Sequence, residues 1–256
     1  DYVIENVSLV AGDNYEITYV LAKLTINKLA VTVTAESTSK TYGDSDPEFK
    51  VKSIVPKLIG SDELSGKLGR EAGLTVGDYA INKGTLDNAN YEITVASGAK
   101  LTINKLAITV TAESTSKTYG DSDPEFKVDT VVPALVGTDK LSGSLARTDK
   151  SENVGDYAIS KGTLDNANYE ITVASGAKLT ITKRPITVTA QAKTKVFGES
   201  DPEFTYVPLA LVGTDKLSGS LGRTDKSENV GDYVIENVSL VAGDNYEITY
   251  VLAKLT

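Results

Sequence analysis

The chain has 256 residues, 40% of them hydrophobic, with 35 acidic side chains against 26 basic ones and a net charge of −9. It contains no His, Cys, Met or Trp, which removes the commonest general base and metal ligand, the disulfide staple and the thiol nucleophile. An acidic surface repels phosphate backbones and anionic membranes, and no apolar run approaches the ~20 residues that span a bilayer, so neither nucleic-acid binding nor membrane insertion of this segment is expected.

From its start the chain repeats itself. Residues 1–25 recur without change as 232–256. The run Leu24-Thr25-Ile26-Asn27-Lys28-Leu29-Ala30-Val31 returns as Leu101-Thr102-Ile103-Asn104-Lys105-Leu106-Ala107-Ile108. It returns again as Leu179-Thr180-Ile181-Thr182-Lys183-Arg184-Pro185-Ile186, and Leu255-Thr256 opens one more copy. The four leucines are 77, 78 and 76 residues apart. The expected organisation is therefore 1–28, the C-terminal part of a preceding repeat, followed by repeats at 29–105, 106–183 and 184–256. Residues 78–102 and 156–180 differ only at Asn82 and Ser160, whereas 1–25 matches the third repeat alone. The order implies a longer array with a higher period of 231 residues, the distance from Asp1 to Asp232. An enzyme has no physical use for a verbatim copy of one segment; a fibre of stacked modules does.

Within one repeat, Leu29 to Ala35 alternates apolar and hydroxyl side chains, the period of a half-buried strand. Tyr42-Gly43-Asp44-Ser45-Asp46-Pro47 reads as a turn. Phe49 to Ile54 predicts a second strand, and Leu58 to Leu64 one helical turn capped by Ser61 or Asp62. Leu64 to Arg70, Asp78 to Ile81, Tyr91 to Val95 and Ala99 to Ile103 predict the remaining strands, separated by the turn-rich Leu86 to Asn90. The fold class is thus all-β: a tandem array of small domains with about six short strands and at most one helical turn each. The third repeat lacks two residues after Phe204, so its second strand or the following turn is expected to differ. A module of this size buries only a little over ~60% of the surface its unfolded chain exposes, so neighbouring repeats are expected to add stability.

Between the strand ending at Ile103 and the one opening at Leu106 stand only Asn104 and Lys105. So short a tether is far from the Gly/Ser linkers that behave as coil. At the third repeat Arg184-Pro185 stiffens it, because Pro locks φ and restricts the residue before it. The expectation is a semi-rigid succession of modules.

Four motifs carry a family resemblance. Lys40-Thr41-Tyr42-Gly43-Asp44-Ser45-Asp46-Pro47, Leu64-Ser65-Gly66, Val76-Gly77-Asp78-Tyr79-Ala80-Ile81 and Asn90-Tyr91-Glu92-Ile93-Thr94 resemble the MBG-type repeats of bacterial surface adhesins. The second repeat matches at 117–124, Leu141-Ser142-Gly143, 154–159 and 168–172. The third departs at Val196-Phe197-Gly198-Glu199 and Val238-Ser239-Leu240. The resemblance implies large extracellular bacterial proteins that array such modules between a cell anchor and a terminal domain. It also implies a small, β-grasp-like fold; the strand count equally permits a compact immunoglobulin-like sandwich. It assigns no catalytic, cofactor-binding or metal residue.

The candidate chemistry is sparse. Asp44, Asp46 and Glu48, with their copies Asp121, Asp123, Glu125 and Glu199, Asp201, Glu203, alternate like the opening of a calcium loop. The EF-hand template, however, needs Gly and Glu where Phe49 and Val55 stand. The reading preferred for them is a turn whose Asp side chains bond local amides. The pair Asp62 and Glu63 could serve acid–base chemistry, but the copies are Asp139-Lys140 and Asp215-Lys216, so no enzyme is expected. The sequons Asn6-Val7-Ser8 and Asn237-Val238-Ser239 are read as incidental. A Lys–Asn isopeptide crosslink would need a buried Lys, Asn and acid together. Tyr42, Tyr79 and Tyr91 are read as core or turn anchors with bonded hydroxyls, in preference to sugar-stacking platforms. The function that follows is a structural stalk or filament segment of an extracellular, cell-surface protein. Its expected partners are neighbouring repeats, or like chains laterally or end to end. The alternative is a glycan- or protein-binding module acting by avidity.

Overall fold

The computed structural model describes residues 1–5 and 8–256. It contains two compact units, Asp1–Leu106 and Ala107–Thr256. The first begins with a small antiparallel pair, β1 (Tyr2–Ile4) and β2 (Ala22–Leu24), with Tyr2 opposite Leu24. The first repeat follows as β3 (Leu29–Ala35), β4 (Thr38–Thr41), β5 (Val51–Val55), β6 (Gly69–Arg70), β7 (Gly77–Asn82), β8 (Tyr91–Val95) and β9 (Lys100–Asn104). These seven strands form two small sheets, ordered β5-β3-β8 and β4-β9-β7-β6. Each holds one parallel pair, β3 with β8 and β4 with β9, where immunoglobulin sheets are antiparallel throughout.

The alternation of β3 does what its period dictates: Val31, Val33 and Ala35 point inward and are buried, while Ala30 and Thr32 are exposed and Thr34 is half-buried. Ile93 of β8, Ile81 of β7, Leu68, Leu86 and Tyr91 complete that core cluster, and Leu101 and Ile103 of β9 are fully buried as well.

The second repeat repeats the plan with β10 (Leu106–Ala112), β11 (Thr115–Thr118), β12 (Val128–Val132), β13 (Ala146–Arg147), β14 (Gly155–Ser160), β15 (Tyr169–Val173) and β16 (Lys178–Thr182), in the same two sheet orders. The third has β17 (Arg184–Thr189), β18 (Leu221–Gly222), β19 (Tyr233–Asn237), β20 (Tyr246–Val251) and β21 (Ala253–Leu255). Here β17 pairs in parallel with β20, and β18, β19 and β21 form the other sheet. The counterparts of β11 and β12 shrink to the isolated bridges Lys193↔Leu255 and Ala190↔Tyr206. That is the region where the third repeat is two residues short.

The all-β tandem fold expected from the sequence is the fold that forms, with three differences of detail. Residues 38–41 are a strand that the sequence pattern did not mark, because its side chains are polar and its partner β9 lies far along the chain. The strand expected over 64–70 is confined to Gly69–Arg70, with Ser65 making a lone bridge to Asp87. The segment 58–64 is a tight turn closed by the Asp62 amide on the Ile59 carbonyl at 3.1 Å, and no helix forms among the described residues.

Candidate functional site

Within the second unit, the tether between the last strand of one repeat and the first of the next is a single residue, Lys183, between β16 and β17. Around it the two repeats are fastened by side chains from four segments. The fastening starts at the turn after β11. Gly120 adopts φ 86° there, a conformation that favours glycine, and a Cβ at that position would meet Val212 at 2.5 Å. The turn is anchored from below: the Tyr119 amide donates to the Thr182 carbonyl at 2.9 Å and Asp121 N–H to Thr118 at 3.0 Å.

A buried charge cluster holds the same turn. Lys117 donates to the Asp121 carbonyl at 3.0 Å and pairs with Asp123 at 2.8 Å. Arg147 pairs with Asp123 at 2.7 Å, and Glu152 receives both cations. Burial pulls the Lys117 ammonium down, but its bonds to Asp123 and Glu152 outweigh that and hold it above its ordinary value. Burial likewise pushes Asp123 up, and Arg147 and Lys117 bring it below the usual carboxylate range. The cluster is therefore fully ionised at neutral pH. The third repeat repeats it as Lys195, Asp201, Arg223 and Glu228, and the first as Lys40, Asp46 and Arg70.

So supported, Tyr119 reaches the third repeat. Its ring meets Tyr246 edge-on, centroids 5.4 Å apart at 80°, the arrangement that aromatic quadrupoles favour. Its hydroxyl donates to Asp215 Oδ2 at 2.8 Å, and the Tyr246 hydroxyl donates to the same oxygen at 2.7 Å. Tyr246 in turn accepts the Val212 amide at 2.8 Å. The bond to Asp215, with burial behind it, raises the Tyr119 phenol; burial first, and Asp215 after it, raise that of Tyr246. Both phenols stay protonated as donors.

Asn245 fills the second side of the joint. Its Oδ1 accepts the Val154 amide at 2.9 Å, and its Nδ2 donates to Asn153 Oδ1 at 3.0 Å. Arg184 closes the third side, donating from Nε to the Tyr119 carbonyl at 2.6 Å and from its terminal nitrogen to Asp121. Bonds with an ionised partner are the stronger kind, and they cross the joint at two points. The arrangement has no nucleophile set against a base; what it does chemically is fix two modules against each other.

Half of this joint is present in every repeat. Asp62, Tyr91 and the Ile59 amide are wired as Asp215, Tyr246 and Val212 are, with bonds of 2.8 Å. So are Asp139, Tyr169 and the Val136 amide, at 2.7 and 2.8 Å.

The residues singled out from sequence fall into this scheme in part. Asp44 does accept a local amide, from Thr41 at 3.3 Å. Asp46 departs from the amide-bonding turn: it is taken by Lys40 at 2.8 Å and Arg70 at 2.7 Å, as Asp123 and Asp201 are taken by their Lys and Arg. Asp62 accepts the Tyr91 phenol at 2.8 Å, which gives it a structural partner, and the Glu63 backbone carbonyl accepts from Asn88 at 2.8 Å. The buried Lys117 faces Asp121, Asp123 and Glu152, and no Asn is among its partners. The Tyr79 hydroxyl bonds the Thr75 carbonyl at 2.7 Å. Asn6 and Val7 of the first sequon lie outside the described residues, and Asn237 of its copy accepts the Leu240 amide at 2.7 Å. Asn245 and Asn153 were not singled out, and Arg184 was noted only beside Pro185 as a stiffener of the tether. The signal for Asn245 was that Asn90, Asn168 and Asn245 stand before a tyrosine in every copy.

A family model described as "MBG domain (YGX type)" matches residues 31–102, 108–180 and 186–256. Among curated proteins, none matches the chain. The second match includes Tyr119-Gly120, the two residues at the centre of the joint.

Proposed function

The chain belongs to the MBG domain (YGX type) family as three repeats in tandem, and on that footing we propose that it is a spacer: a stalk or filament segment of a large bacterial cell-surface protein, whose product is distance. The observation that carries this reading is the joint of Tyr119, Asp215, Asn245 and Arg184. One residue of tether and bonds on three sides leave the second and third repeats no free swivel. A module that only had to display a binding surface would need no such fastening. Adhesive contact belongs, on this reading, to a domain elsewhere in the protein that the spacer holds away from the cell.

Scattering from proteins with increasing numbers of 231-residue periods tests it. A fastened array lengthens in proportion to repeat number, whereas freely jointed modules grow only as about the square root. Square-root growth would refute the spacer. At the joint itself, Tyr119→Phe is expected to cost about 1.5 kcal/mol of docking free energy, the low end for a bond to a charged acceptor because this one is exposed. Faster amide exchange at Val154, whose N–H is held by Asn245, reads that loss, and unchanged exchange would contradict it.

A further inference from the structure

One end of the third repeat presents the joint's other half, exposed among the described residues. Residues 147–157 and 223–233 have the same sequence and the same internal wiring. Tyr157 and Tyr233 each bond the carbonyl of the Asn four residues back, and Arg147 and Arg223 each lie over that tyrosine's ring at 5.4 and 5.0 Å. In the second repeat this loop is covered: Val154 is half-buried and bonded to Asn245. In the third, the matching Val230 is 92% exposed. Beside it Phe197, which stands where Tyr119 does, is 70% exposed. With Lys195, Tyr233 and Leu255 these two line an apolar cavity of about 290 Å³.

The complementary face is also in the molecule. At the opening of the first repeat, Ile59 is 66% exposed, Asp62 and Asn90 are exposed, and Tyr91 is already bonded to Asp62. These are the counterparts of Val212, Asp215, Asn245 and Tyr246.

We propose that the face of Phe197, Asn229 and Val230 is a docking surface for the opening face of a further repeat of the first type, through Ile59, Asp62, Asn90 and Tyr91 of that repeat. The proposal deepens the spacer reading and rests on it. The sequence further sets the strength of this joint. Phe197 supplies the ring for Tyr91 but no hydroxyl for Asp62. Leu29 stands where Arg184 does, so Glu199, the counterpart of Asp121, gains no guanidinium. The Asn–Val–Asn clamp remains, and the two charge-assisted bonds do not. A joint of this kind, lacking both charge-assisted bonds, recurs with the 231-residue period, a place for the fibre to yield under load before any module unfolds.

The absence of cysteine allows a direct test. Val230→Cys and, separately, Val154→Cys are labelled with a thiol reagent in the 256-residue chain and in the same chain extended after Thr256 by a second copy of residues 26–105. A tethered neighbour acts at about millimolar effective concentration. Val230→Cys is expected to react quickly in the shorter chain and about tenfold more slowly in the extended one, the protection given by ~1.4 kcal/mol of closure. Adding Phe197→Tyr should slow it further, by restoring the hydroxyl for Asp62. Val154→Cys should be slow in both. Equal rates for Val230→Cys in the two chains, with Val154→Cys slow, would overturn this proposal and leave the spacer standing. Fast labelling of Val154→Cys would overturn the fixed joint and this proposal with it. Protection of Val230→Cys that rises with concentration in the shorter chain would assign the face to a second copy of the chain instead, against the proposal.

Discussion

Ile4 and Ile235 hold the same place in two identical segments, 1–25 and 232–256, yet Ile4 is 54% exposed and Ile235 is fully buried. Some features survive in both. Tyr2, Val3 and Ile4 pair with Leu24, Lys23 and Ala22, as Tyr233, Val234 and Ile235 pair with Leu255, Lys254 and Ala253. The Tyr19 hydroxyl bonds the Leu9 carbonyl, as Tyr250 bonds Leu240. Others exist only in the later copy. Residues 246–251 form β20 because β17 lies beside them in parallel, and residues 15–20, with no such partner among the described residues, form no strand. Leu240 and Leu255 are buried where Leu9 and Leu24 are exposed. Short-range pairing is thus written into the 25 residues themselves. Burial and the parallel strand come from residues 184–231, and the hydrophobic contribution to stability comes with them.

The comparison is broken most severely by truncating the buried position. Ile235→Ala should cost about 2–5 kcal/mol, as large-to-small changes in packed cores do, while Ile4→Ala should stay within about 0.5 kcal/mol, as exposed substitutions do. Chemical denaturation of the two variants measures the difference, and equal costs would show that the two copies are not in different environments. Removing the frame rather than the segment comes next. Arg223 belongs to the 184–231 half; it pairs with Asp201 and Glu228 and lies over the Tyr233 ring. Arg223→Met should cost about 2–3 kcal/mol, less than the ~3–5 of a wholly buried pair because Glu228 keeps solvent. It should also speed amide exchange at Ile235, moving 232–256 toward the state of 1–25.

Acid acts on the same frame more gently. Arg223 first, then Lys195, hold Asp201 far below the ordinary carboxylate range, and Arg70 and Lys40 lower Asp46 from 3.8 to about 2. A carboxyl depressed in the folded state stabilises it above the unfolded value and loses that contribution as pH falls through the folded one. The melting temperature of the first repeat should therefore hold down to pH ~4 and fall between ~4 and ~2, with the third repeat still losing stability below that. Thermal scans across this range measure it, and a flat profile would contradict the paired geometry. The smallest effect sharpens the comparison. Tyr250→Phe should cost about 1 kcal/mol, a typical net hydrogen bond, where Tyr19→Phe, at an exposed site, should be nearly silent.

How much of this was legible beforehand follows the same division. The alternation of 29–35 and of 91–95 marked both strands, since a period of two reports one buried face directly. Thr38–Thr41 left no such mark: it is polar, and its reason for being a strand is Leu101–Asn104, some sixty residues on. The difference between Tyr119 and Phe197 was visible as a departure from the motif. Its meaning was not, because the Tyr119 hydroxyl finds its acceptor 96 residues away. Asp62 drew notice for the neighbour that varies, Glu63, when the invariant part, an Asp in every copy facing a tyrosine, was the structural half of the joint.

The fixed relation of the second and third repeats is tested most directly by the distance distribution between spin labels on Ser175→Cys and Lys226→Cys, two exposed sites on either side of Lys183. A single narrow distance is expected, broadening when Tyr119→Ala and Asn245→Ala are added together. A broad distribution in the otherwise unaltered chain would mean that the modules swing about their tether, and that the bonds between Tyr119, Asp215, Asn245 and Arg184 do not set the joint.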